Sequence, residues 1–397
     1  MHLYGEKKEK YMKGKRLIVT AAILLITSMF LFAGGDAEIP QAGTEPAAST
    51  APGTTVAPVA PVAPVAPEDA GEQYTLKFSW ADPFDPLKQS TSAYAVVFKQ
   101  ELERLSGGRI KVELYPAGQL GDQRSSTEQV ARGTIEMTNI SSGVLASLYF
   151  PKLEIVDMPF LFTSREHAAR VLDVVNNPIM TEMNKELIAE TGIRLLNVVP
   201  FGPRHITNNV RRIKSPEDVE GLRIRTMEIT PHMKLIEAMG GNPVPIPFLE
   251  LYTSLQTNVV DGEENTFQNI SAQNFFEVQD YLTVTNHVMG VGATLINEKW
   301  FRGLPQELQA AVVEADYVAQ MVYNGVAQIL DAMAADTLVE KGMDVYYPTP
   351  AEYKKFQDAT IPFVREYMVG VLGEEFVADF LDSVETIKAE IQAEVNQ

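Results

Sequence analysis

Residues 221–267 carry the densest chemistry of this chain: GLRIRTMEITPHMKLIEAMGGNPVPIPFLELYTSLQTNVVDGEENTF. Arg223 and Arg225 end a short strand-like run. Two residues apart on a strand, they point to one face, so a bend at the strand end must separate their roles. A guanidinium is a planar fork of donors that matches the two oxygens of a carboxylate. At the mouth of a cleft such a fork captures a small anion; on the residues alone, an ordinary exposed arginine fits Arg225 equally well. The acidic turn ends at Asn265, whose amide both donates and accepts. Glu263 can accept a hydroxyl or face solvent. With Glu264 it forms neighbouring carboxylates for which acid–base catalysis is conceivable, but adjacent residues seldom aim at one point, and no nucleophile, base or metal set accompanies them.

Composition narrows the field. With 33 basic and 52 acidic residues the formal charge is −19, which argues against nucleic acid or an anionic membrane as partner of the globular part. An anion site must therefore be built locally from particular arginines. The chain has no cysteine, so disulfides, thiolate nucleophiles, Cys-ligated zinc, iron–sulfur clusters and a lipobox anchor are excluded. Its five histidines (2, 167, 205, 232 and 287) match no HExxH or other metal-ligand spacing; of these, His205 is the one placed to approach a cleft. No P-loop, GxSxG or complete GxGxxG occurs, and no cofactor or metal is expected.

The elements that must position these residues follow from the patterning. Residues 1–35 read as a signal peptide or signal anchor: six Lys/Arg precede a 16-residue apolar run, Leu17–Phe32, with small residues after it. That run falls just below the roughly 17–25 residues of a spanning helix, so cleavage is the first reading and an uncleaved anchor the second. Residues 36–73 form a Pro/Ala-rich linker with four V-A-P copies, an extended tether by composition. From Tyr74 the pattern is globular. Tyr74, Leu76, Phe78 and Trp80 alternate as a strand. A helix carrying Tyr94, Phe98 and Leu102 stops at Gly107-Gly108, and Ile110–Leu114 and Ile135–Ile140 read as further strands flanking a helix at 124–132. This succession predicts a parallel α/β sheet. A second unit starts near Arg194, with strands at 195–202 and 222–227. A helical pattern from Gly303 to about Lys341 is long enough to bridge two lobes. The fold class expected is α/β, two lobes with a central cleft and a long helix spanning both.

At LYPAGQLG (114–121), DMPFLF (157–162), RHITNN (204–209), GLRIR (221–225) and LQTNVVDGEEN (255–265) the chain resembles the solute-binding proteins of tripartite ATP-independent periplasmic (TRAP) transporters, the DctP-like family. The resemblance runs from about Tyr74 to Phe380. It implies lobe I at about 74–198 plus parts of 286–397, and lobe II at about 199–285 plus part of the C-terminal region. It implies a non-enzymatic, exported, periplasmic monomer that captures a small-molecule carboxylate, a C4-dicarboxylate or a sugar acid such as a uronate, for TRAP membrane subunits. A membrane-tethered ligand sensor of the same fold is the alternative. By the same resemblance Arg225 pairs with the ligand carboxylate and Arg204 supplies a second cation, which suits a diacid or a sugar acid. Asn265, Glu263, Phe248 and Ser141 complete the ligand site with Gln89; Asp82, Phe84, Ser142 and Glu250 are further candidates. Glu263 and Thr266 depart from the Gln and Pro common in the family, and that leaves the class of acid open.

Overall fold

The computed structural model describes residues 71–396; the signal and nearly all of the linker lie outside them. Ten strands form one connected system: β1 Tyr74–Trp80, β2 Ile110–Tyr115, β3 Met137–Ser141, β4 Ile193–Asn208, β5 Arg223–Thr226, β6 Asn242–Pro245, β7 Gly262–Thr266, β8 Tyr281–Thr283, β9 Met289–Asn297 and β10 Asp344–Tyr346. Their order is β2-β1-β3-β9-β4-β7-β5-β6, with β8 pairing β4 and β10 at the side. The β1–β2 and β1–β3 pairs are parallel as expected. The sheet as a whole is mixed, because β9 runs antiparallel to both β3 and β4, and β4 antiparallel to β7. The patterning of 195–202 fixes a buried strand but carries no direction, which is why the parallel expectation failed there.

β4 is the strand on which the two halves meet. Its first part, Ile193–Pro203, pairs with β9, while Arg204–Asn208 pairs with β7. At the changeover sit Pro200, Gly202 and Pro203. Neither proline has an N–H for a ladder, and the register slips between Pro200 and Gly202. Gly202 has φ +146, a conformation that a side chain resists. Arg165 steadies this bend by donating to the Pro200 carbonyl and pairing with Asp331 of the long helix. Sequence periodicity ends the strand at this irregularity; the structure carries it six residues further, from 202 to 208.

The long helix is Gln306–Glu340, 35 residues, or about 50 Å at 1.5 Å per residue. Its first half, through Ala311, Ala315, Ala319 and Tyr323, packs in one core with Phe78, Tyr94 and Phe98 of β1 and the Ser90–Leu105 helix. Its last turns, through Ala334 and Leu338, belong to a separate core with Leu251, Phe275 and Leu282. A third core joins lobe I residues such as Leu145 and Leu153 to Leu235 and Ile236 of the Thr230–Ala238 helix. The C-terminal helices Pro350–Leu372 and Glu374–Val395 cover it with Phe356, Met368 and Phe380. Among the described residues no helix is long and apolar enough to cross a membrane.

β7 needs a glycine where it begins. A Cβ on Gly262 would collide with the carbonyl oxygen of Thr207 on β4 and crowd Asn208. Relief requires backbone movement in the strand that carries Glu263, Glu264 and Asn265. Gly262→Ala is expected to destabilise the protein by about 1–3 kcal/mol, the usual cost of overpacking, seen as a lower urea midpoint; an unchanged midpoint would show that β7 has room to shift.

Candidate functional site

A cleft open to solvent lies between the halves and is lined by residues of both. The end of β1 and the adjoining loop and helix give Ala81, Asp82 and Thr91. β3 gives Asn139, Ile140 and Ser141, and Tyr323 comes from the long helix. The other half gives Arg204, Arg225, Met227, Phe248, Asn265, Gln268 and Asn269. Gln123, Phe201 and Gly292 complete the lining.

Arg225 is 1% exposed. It sits in β5 beside Val244 of β6 and Glu263 of β7. Its Nε donates to the Ile246 carbonyl at 2.8 Å, while Nη1 is buried with no hydrogen-bond partner among the described residues. Burial lowers its pKa to about 10, against the pull of Glu263 and Glu264; it remains a cation at neutral pH. A buried, unsatisfied cationic donor is costly. The two strand arginines take separate roles, since Arg223 lies at the surface and pairs with Asp261 at 2.6 Å.

Arg204 also lines the cleft, but its charge is already answered. Nε and Nη2 both bond the Glu264 carboxylate, Nη2 at 2.9 Å from Oε1, and Nη2 also reaches the Glu264 carbonyl. Both side chains are 1% exposed. The same carboxylate meets His232 Nδ1 at 3.1 Å and His287 Nε2 at 3.2 Å, and His232 Nε2 meets Asp157 at 3.2 Å. Burial alone would raise Glu264; Arg204 and His232 outweigh it and hold the carboxyl well below its usual range. Burial would lower His232, yet Glu264 and Asp157 raise it to about 9. Two free cations, the arrangement expected to suit a diacid or a sugar acid, are therefore not what the fold presents. Glu264 was visible in the sequence only as half of an adjacent acidic pair, and its partners lie 23 to 60 residues away.

The other expectations divide. Asn265, Phe248, Ser141 and Asp82 reach the cleft. Glu263 neither faces solvent nor lines the cleft: it is fully buried next to Arg225, accepts from Thr207 at 3.3 Å, and is pushed up to about 7 by burial and then by Glu264. Its strand is covered on both sides, which a five-residue polar run does not announce. Gln89 is fully buried behind the wall, accepting a 2.7 Å bond from Gln268 across the halves. Phe84 and Glu250 are exposed away from the lining, Ser142 is buried beneath it, and His205 packs against Phe267 instead of entering. Among the lining residues unforeseen were Gln123, Asn139, Gln268, Asn269, Phe201, Met227 and Tyr323. Gln268 and Asn269 follow the acidic turn within one helical turn of Asn265, so proximity could have flagged them; a tyrosine on a long helix gives no such signal.

Comparison with known proteins identifies the family and the fold. The family model described as bacterial extracellular solute-binding protein, family 7 (DctP), matches residues 85–370. The 2,3-diketo-L-gulonate-binding periplasmic protein of Escherichia coli (strain K12) is 31% identical over 296 residues, 73% of this chain and 86% of that protein. Among solved structures, the sugar acid binding protein of Advenella mimigardefordensis in complex with galactonate aligns with a TM-score of 0.74 at 28% identity, covering 80% of this chain and 99% of the other. A TRAP periplasmic solute-binding protein of Roseobacter denitrificans with bound L-galactonate aligns at 0.70 and 28%, with coverages of 80% and 99%. The chain belongs to solute-binding protein family 7, and its fold is the two-lobed fold of TRAP periplasmic binding proteins.

The buried His232 gives the site a pH signature. Its folded pKa lies above the usual 6.5. The stability it contributes is therefore complete below about pH 6.5 and is lost as pH rises through about 9. The gap in melting temperature between wild type and His232→Gln is expected to be widest at pH 6 and to narrow by pH 10; a gap that is the same at both ends would mean that His232 is not held protonated.

Proposed function

We propose that this family member captures a small organic acid in the periplasm, holds it between the lobes by its carboxylate at Arg225, and delivers it unaltered to TRAP membrane subunits. The observation that carries the reading is Arg225, which lines the cleft and whose buried Nη1 has no hydrogen-bond partner among the described residues. A carboxylate there would satisfy the orphaned donor and neutralise the cation in one step. The relatives named for 2,3-diketo-L-gulonate and solved with galactonate are acid binders on the same fold. Arg204, stiffened by Glu264, adds a hydrogen-bonding edge without a second free charge. Asn265 holds its own carbonyl in bonds to Thr266 N and Asn269 Nδ2, both 3.0 Å, which turns its Nδ2 into the available donor. Closure around the ligand is a hinge movement, for which the Pro200–Pro203 bend in β4 is the natural place.

The reading separates binding from stability. Arg225→Met is expected to weaken the acid by roughly two to three and a half decades, the equivalent of about 3–5 kcal/mol for a buried ion pair broken at one partner. The empty protein should lose much less in stability, because the removal of a buried cation with an unpartnered Nη1 offsets the stranding of the Ile246 carbonyl and of Glu263. Calorimetry against an organic-acid panel with parallel melting curves measures both, and retained affinity would remove Arg225 from the site.

A further inference from the structure

Glu263 is a buried acid for which carboxylate capture alone gives no role. It lies opposite Arg225 of β5 and Thr207 of β4, so the three side chains leave the sheet on one side. It is fully withdrawn from water. Its Oε2 has no hydrogen-bond partner among the described residues, and neither has Nη1 of the neighbouring Arg225.

The other oxygen sits in a contact that suits either protonation state. Thr207 Oγ1 is 3.3 Å from Glu263 Oε1 and 2.9 Å from Gln279 Oε1, yet a hydroxyl carries a single hydrogen. Gln279 commits its Nε2 to the Val278 carbonyl at 2.7 Å, which keeps its oxygen towards Thr207. When Glu263 is ionised, Thr207 donates to it. When Glu263 carries a proton, Thr207 turns its hydrogen to Gln279 and accepts from the acid. The fold thus provides a seat for a proton between β7 and β4.

The surrounding charges leave Glu263 facing Arg225. On β4, His205 shares its side of the sheet and is kept neutral by burial. Arg223 of β5 is paired with Asp261 at the surface. Across the sheet Arg204 is paired with Glu264, and His232 lies between Glu264 and Asp157. His287 also meets Glu264, and burial lowers its pKa. The Phe267–Ala272 helix, packed on β7, carries no titratable side chain, and Glu277 beyond it is exposed and bonded by Tyr252. A ligand carboxylate on Arg225 would place two anions on one guanidinium, and like charges that share a site drive one of them to protonate. Glu264 is not that one, since Arg204 and His232 hold it well below its usual range. Glu263 is, because burial and then Glu264 have already lifted it to about 7.

Resting on the reading of Arg225 as the carboxylate anchor, we infer that Glu263 is the proton-accepting partner of the site: it takes a proton from solvent as the acid binds and returns it as the acid leaves. One O–H bond forms on Glu263, and Arg225 exchanges its ionic partner for the ligand. Binding favours the protonated form, so the acid binds more tightly as pH falls from 8 towards 7, and the gain levels off lower down, where empty Glu263 already holds the proton. Between pH 7 and 8 Asp82, raised by burial to about 6, stays ionised and His232, at about 9, stays protonated.

Titration calorimetry at pH 8 in buffers of different ionisation enthalpy counts the protons taken up per acid bound. The probe is the tightest binder of a panel that includes succinate, D-erythronate and D-galactonate. Wild type should take up about half a proton or more, and its affinity should fall roughly three- to sixfold from pH 7 to pH 8. Glu263→Gln, the shape of the protonated acid, should take up none, bind at pH 8 at least as tightly as wild type and lose the pH dependence; a merely structural role would weaken binding equally at both pH values. A second readout needs no variant: protein labelled with carbon-13 at the glutamate side-chain carboxyl should gain, on binding, a protonated-carboxyl infrared band displaced by the label. Absence of uptake by wild type, a band that the label does not move, or uptake that persists in Glu263→Gln overturns this inference and leaves the organic-acid reading standing. Failure of every acid of the panel to bind overturns the organic-acid reading itself, and the inference with it.

Discussion

The Arg204–Glu264 pair is the contact on which the cleft is built. It lies at the point where β4 leaves β9 and joins β7, and both partners are almost wholly withdrawn from water. Such a pair gains little over an apolar substitute in net stability, but the loss of either partner strands a buried charge. It therefore acts as a constraint. Glu264 can satisfy Arg204, His232 and His287 together only in one register of β7 against β4, and a slip by one residue would turn each side chain to the opposite face. That register also places Asn265 in the cleft and Glu263 beside Arg225. Asp157, contributed by the Pro151–Asp157 turn on the lobe I side, extends the network through His232.

Around this fixed point the architecture divides rigidity from freedom. The long helix has its two ends in two different cores, so it keeps both lobes on one axis. β4, by contrast, is interrupted by two prolines and a glycine where it crosses between them. Arg165 and Asp331 grip that bend from outside. The lobes touch through polar contacts, among them Gln89 with Gln268 and Asp157 with His232, and through Leu249, whose side chain approaches Gly118 so closely that a Cβ there would clash.

The sequence was most legible where period and punctuation agreed. β1, the Ser90–Leu105 helix with its Gly-Gly stop, and the long helix all stand close to their expected places, because amphipathic period and chain breakers are local signals. The place of Arg225 in the cleft lining was open on the residues alone, and only the motif resemblance favoured it. What could not be read depended on partners distant in sequence. The direction of β9, the run of β4 beyond its prolines and the neutralisation of Arg204 are settled by tertiary pairing. Glu263 shows the limit most plainly: in sequence it is a polar residue in an acidic turn, and in the fold it is completely buried because β4 and β5 flank its strand.

The neutralised Arg204 also bears on how long cargo stays. Differences in affinity among related complexes are mostly differences in escape rate, and a second unopposed guanidinium would lengthen the dwell time of any carboxylate by the strength of one more buried pair. With Glu264 occupying Arg204 from within, a ligand held at Arg225 as proposed would have a single ionic tether to release. A carrier that has to surrender its load to another protein gains from that economy, since the receiver must undo one strong bond and then only hydrogen bonds that water can replace.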